Sequence, residues 1–121
     1  MLARSSNSAG AIYLDSERRI QAIRRSAAAA RKKIPEIRRV ILFGSLVSGH
    51  ATPRSDADLL VVVETSPYDH ARDRIPEMLR ALSPLPCPID LFVLTDAEFK
   101  RCQEEDSPFL RAATSTGIDL L

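Results

Sequence analysis

Apolar positions along the chain follow two rhythms. Ile20, Ile23, Ala27, Ala30 and Ile34 recur at intervals of 3, 4, 3 and 4, a spacing that gathers side chains on one face of an α-helix. The remaining faces carry Arg18, Arg19, Arg24, Arg25, Arg31, Lys32 and Lys33. Asp15 stands where an N-cap belongs, and Pro35 closes the helix, because the residue before a proline leaves helical backbone. Three short apolar runs follow: Val40 to Phe43, Leu59 to Val63 and Ile89 to Leu94. Their β-branched and aromatic content and their continuity predict buried strands. A helical stretch from Asp69 to Leu82 separates the second run from the third, bounded by Pro67 and by Pro84, Pro86 and Pro88. Beyond the third run, Thr95 or Asp96 can cap a helix through Cys102. Ser107-Pro108 restarts one, and Gly117 ends it before a short strand at Ile118. The order, with a short helical turn after the first strand, predicts an α/β fold: a small mixed β-sheet with helices packed against it.

Composition narrows the class without changing this picture. The chain has 121 residues, 45% hydrophobic and 27% charged, which fits one globular domain and excludes disordered and disulfide-scaffold proteins. Residues 1–12 read as a frayed N-terminus and 13–121 as the domain. The formal net charge of +1 gives no global field for nucleic acid. The distribution is uneven, however: residues 1–40 carry ten Lys or Arg against three Asp or Glu, and residues 41–121 carry seven against thirteen. The basic helix face reads first as solvated and second as a surface for an acidic partner, phosphate or RNA. Cys87 and Cys102 form no CxxC pair, and His50 and His70 lie at no zinc-ligand spacing. There is no secretory leader and no long apolar run, so no membrane is expected and a cytoplasmic location is.

The chemistry concentrates between Phe43 and Val63. Gly44 lets the chain turn as it leaves the first strand, and Ser45 to Ser48 can form a first helical turn whose N–H groups face an anion such as phosphate. Asp56 and Asp58 alternate at the start of the second strand, so their carboxylates leave one face of the sheet. Their mutual repulsion is relieved by a hard divalent cation, and Mg²⁺ is held by one or two carboxylates together with substrate phosphates. Asp90 interrupts the third apolar run. Buried there, its charge needs a partner: a metal shared with Asp56 and Asp58 is the first choice, and a distant arginine or a helix N-terminus the alternative. Three convergent carboxylates can hold two ions about 3.5–4 Å apart, the arrangement for in-line phosphoryl displacement. Nucleotidyl transfer fits this set. A haloacid-dehalogenase-type phosphatase also uses D-x-D, but there the pair follows its strand rather than preceding it. His50 reads as an exposed loop residue, His70 and Tyr68 as helix-start residues, and Phe92, Phe99 and Phe109 as core.

Gly44-Ser45, Gly49, Ser55-Asp56-x-Asp58-Leu59 and the later Asp90 together resemble the pattern of minimal nucleotidyltransferases in the DNA polymerase beta superfamily. The diagnostic parts span residues 43–63 and 88–94. The resemblance implies that Gly44, Ser45, Gly49, Arg54 and Ser55 bind the nucleotide. It implies that Asp56, Asp58 and Asp90 are catalytic and hold Mg²⁺, two ions in all, with ATP as substrate. Members often place arginines after the Ser, where this chain has Leu46, Val47 and Ser48, and Arg54 can substitute. Small relatives are antitoxins that pair with a helical HEPN ribonuclease toxin, and some adenylylate it. The implied activity is transfer of AMP to a hydroxyl of such a partner protein, with the Arg-rich helix or an exposed strand edge as docking surface. The alternative is a fold-only module that binds its partner without chemistry. Nucleic acid is not expected as a primary partner, and a homodimer stays open.

Overall fold

The computed structural model describes residues 2–47 and 57–121. Helix α1 (Leu2–Lys33) is followed by β1 (Ile37–Phe43) and β2 (Ala57–Val63). A 3-10 turn (Ala71–Arg74) runs into α2 (Ile75–Leu82), then come β3 (Ile89–Thr95), α3 (Asp96–Glu104), α4 (Pro108–Thr116) and β4 (Ile118–Asp119). The fold is the expected mixed α/β one. Asp15 lies inside α1 rather than at its cap, and pairs one turn on with Arg19. An i, i+4 carboxylate–guanidinium pair supports a helix interior as readily as a free carboxylate supports its start.

The four strands are ordered β3-β2-β1-β4. β2 runs antiparallel to β1 and parallel to β3, and β4 pairs antiparallel with β1. The parallel β2–β3 pair needs a crossover, which the 3-10 turn and α2 supply. Side chains of Val40, Leu42, Leu59, Val61, Leu91 and Val93 enter one core with Ile23, Ala27 and Ala30 of α1 and Met78 and Leu82 of α2. The alternate positions Ile41, Phe43, Leu60 and Val62 form a second core with Phe99 of α3 and Leu110 and Ala113 of α4. The period of two in the strands thus divides the sheet between two helical layers. The helical stripe read from Ile20 to Ala30 is buried along its length.

Both late helices are capped by the residues that stood out in the sequence. The Thr95 hydroxyl accepts from Glu98 N, and the Glu98 carboxylate accepts from Thr95 N at 2.9 Å, completing a capping box. The Ser107 hydroxyl accepts from Leu110 N, with Pro108 in the first turn. The segment from Asp69 to Leu82 is shorter and divided, its first turn being 3-10 and its α-helical part starting at Ile75. Among the described residues no helix is long and apolar enough to cross a membrane.

Candidate active site

β1 ends, and β2 and β3 begin, at one end of the sheet. Phe43 pairs with Asp58 across the antiparallel ladder, and Asp58 pairs with Asp90 across the parallel one. Directly paired residues share a face, so both carboxylates rise from the face that bears Phe43, on strands about 4.8 Å apart. The register is pinned at its start by Ala57 N, which donates to Pro88 O at 3.1 Å. Asp58 is half-buried and Asp90 is exposed.

The exposure of Asp90 corrects its expected burial. Leu91 and Val93 take the buried face of β3, while Asp90 and Phe92 take the other, where Phe43 and Phe109 of α4 back the Phe92 ring without covering it. The apolar run therefore alternates rather than being buried throughout, and Asp90 needs no partner to offset a burial cost. Phe92, expected in the core, is 38% exposed. Phe99 is core as expected.

Gly44 follows β1 with φ +91°, a conformation that glycine adopts without the penalty of a Cβ. A Cβ at this position would collide with Asp58 Oδ2. The glycine thus lets the Asp58 carboxylate lie directly against the turn. Gly44 O accepts from Val47 N at 3.1 Å, closing a turn over residues 44–47. Leu46, 3% exposed, enters the core shared with α1 and α2, and Val47 packs against it. These are the positions where the resemblance leads one to expect arginine. Here they root the turn in the interior.

Gly49, Arg54, Ser55 and Asp56, together with Ser48 and His50, lie outside the described residues. The described part of the expected set that the fold brings together is Gly44, Ser45, Asp58 and Asp90. Among the described residues no group of three His, Cys, Asp or Glu could hold a metal ion. Asp58 and Asp90 offer hard oxygen donors from adjacent strands, the donor chemistry that Mg²⁺ takes, and the glycine leaves room beside them.

Arg74 was not singled out by the sequence. It is 5% exposed and binds four groups from three elements. Its Nε and Nη2 donate to Tyr68 O, Nη2 also to Asp69 O at 3.4 Å, Nη1 donates to Val93 O at 3.1 Å, and Nη1 meets Glu98 Oε1 at 2.6 Å. The guanidinium beside Glu98 holds that carboxyl below its ordinary range, partly opposed by burial and reinforced by the Thr95 N–H. A cavity of about 260 Å³ next to it, lined by Ile34, Tyr68, Glu77 and Met78, lies at the opposite end of the sheet from Asp58 and Asp90. With its cation fully engaged, this cavity belongs to the scaffold rather than to the acidic pair.

The nucleotidyltransferase domain family matches residues 23–107. The chain belongs to this family. The match spans β1 through α3 and so contains the turn, both described carboxylates and the Arg74 tether. Among solved structures, a Sulfolobus solfataricus protein assigned as a nucleotidyltransferase aligns with a TM-score of 0.64 at 18% identity, covering 89% of this chain and 84% of that one. The toxin–antitoxin MntA-HpeT, in a double Asp-to-Glu form, aligns with a TM-score of 0.50 at 21% identity, covering 78% and 68%. A toxin–antitoxin solved with AMP-PNP gives 0.49 at 20% identity, covering 81% and 72%. At these identities the first two structures speak for the fold alone. No curated protein sequence matches. The nucleotidyltransferase assignment thus stands on the family match, and the fold is the small nucleotidyltransferase fold.

Proposed function

We propose that this nucleotidyltransferase moves AMP from ATP to a hydroxyl of a partner protein, in an Mg²⁺-dependent reaction, as the antitoxin of a pair whose other member is a helical HEPN-type toxin. The observation that carries the transfer chemistry is the contact of the Gly44 turn with the Asp58 carboxylate, whose register partner is Asp90. A polyphosphate tail held by Gly44 and Ser45 brings its α-phosphate beside these carboxylates. Asp58 and Asp90, with Asp56 from the preceding residues, would hold the Mg²⁺, which neutralises charge on the phosphates. The acceptor oxygen forms a bond to the α-phosphorus as the bond to the bridging oxygen breaks. Pyrophosphate leaves, and the acceptor proton passes to the Asp90 carboxylate and then to water.

Gly49, Arg54 and Ser55 complete the nucleotide contacts in this reading. The antitoxin role is supported by likeness of fold to the MntA-HpeT toxin–antitoxin.

The purified chain, ATP labelled in its α-phosphate, Mg²⁺ and the co-encoded helical neighbour make the test. Label on the neighbour is the expected result. A stable complex that acquires no label would instead assign a module that acts by binding alone, and absence of both complex and label would overturn the antitoxin role.

A further inference from the structure

The order of strands gives the reaction a direction. In-line displacement puts the attacking oxygen opposite the leaving pyrophosphate across the α-phosphorus. The turn that would hold the leaving group follows β1. Asp58 lies on the central β2, and β3, with Asp90, forms the far side and the edge of the described sheet. An acceptor must therefore approach over β3.

The surface it meets there is not polar. Phe92 follows Asp90 by two residues, on the same face, and is 38% exposed. Its ring is backed by Phe109 with centroids 4.7 Å apart and by Phe43 at 6.2 Å, and Phe43 and Phe109 meet edge to face at 5.8 Å. Three mutually packed rings fix the orientation of the exposed one. An apolar surface so held, directly beside an exposed carboxylate, loses water favourably when an apolar group covers it.

We propose that Phe92 is a specificity-determining residue on the acceptor side, selecting a protein segment in which the reacting hydroxyl is flanked by apolar side chains. The inference rests on the nucleotidyl-transfer reading and adds to it the direction of approach and the chemistry of the acceptor's surroundings. The aliphatic or aromatic neighbour covers the Phe92 ring and so sets the hydroxyl oxygen beside Asp90. Phe92 itself touches no atom of the nucleotide.

The test uses the full chain, Mg²⁺, α-labelled ATP and blocked pentapeptides with serine or tyrosine at the centre, flanked on both sides by leucine or by glycine. Leucine-flanked peptides are expected to be labelled with a kcat/KM about tenfold above their glycine-flanked counterparts, whichever hydroxyl they carry. Phe92→Ser is expected to reduce that preference to about twofold or less, with the Kd for ATP unmoved, while Phe92→Leu keeps most of it. Equal use of the two flanks by the native chain, a preference that survives Phe92→Ser, or no label on any peptide while ATP is bound would overturn the proposal. So would a Kd for ATP that rises in Phe92→Ser, because the ring would then face the nucleotide. Failure of the native chain to bind ATP at all would remove the underlying reading as well.

Discussion

At the level of single residues, Gly44 and Asp58 act as one unit, and each can be tested separately. Gly44→Ala adds a methyl group where the Asp58 carboxylate lies and places an alanine at φ +91°. The expected cost is about 2 kcal/mol of stability, read as a lowered melting temperature, together with loss of labelling because the carboxylate is displaced. Asp58→Asn keeps the shape and removes the charge. It is expected to fold normally by circular dichroism and to label its acceptor about a hundredfold more slowly; undiminished labelling would count against the assigned metal ligand. Glu98 offers a test in pH. Its carboxyl is held below the ordinary value of 4.5, chiefly by the hydrogen bond from Arg74. The pairing contribution is therefore present above the unfolded value and is lost as pH falls through the lower folded one. Denaturant midpoints of the native chain should drop more steeply below about pH 4.5 than those of Glu98→Gln, which lacks that titration.

Among the elements, what could be read in advance depended on how local the cause was. The stripe from Ile20 to Ala30, the Thr95 and Ser107 caps and the three strand centres rest on neighbours within a few positions, and they appear where their spacing places them. Asp90 and Phe92 were misjudged because a continuous apolar run looks the same whether one face of the strand is covered or two. What distinguishes these cases is how far the second layer covers the face that carries them, and there Phe43 and Phe109 back Phe92 while Asp90 stays exposed. Arg74 gave no signal at all, since its partners come from residues 68, 69, 93 and 98 and three of the acceptors are backbone carbonyls. Of the site, the turn and the pairing of two carboxylates were legible. The depth of each carboxylate was not. Arg74→Ala removes donors from the Tyr68 and Val93 carbonyls and leaves Glu98 unpaired, so a loss of about 3 kcal/mol is expected in urea unfolding. Thr95→Ala removes one half of a capping box and should cost about 1 kcal/mol.

Across the whole molecule, charge is divided along the chain. Residues 1–40 have a formal excess of seven positive charges and the remainder an excess of six negative ones. Arg18, Arg25 and Lys32, spaced by seven, are exposed on α1, and no ion pair to them occurs among the described residues. A field of this kind acts on association rate more than on the final fit. Reversing Arg18 and Arg25 to glutamate should slow capture of an acidic partner about tenfold at low salt, with the difference shrinking as sodium chloride rises toward 0.3 M.

Leu46 shares its interior with Ile23 of α1 and Leu82 of α2, although Gly44 and Ser45 just before it form the turn proposed to hold the nucleotide. Wear on the back of the sheet is therefore transmitted to the front. A small void opened beneath α1 or α2 would let the glycine bend sag, and turnover would decline before global unfolding begins. Temperature and mild denaturant should blunt this protein as a catalyst while its helices and strands still stand.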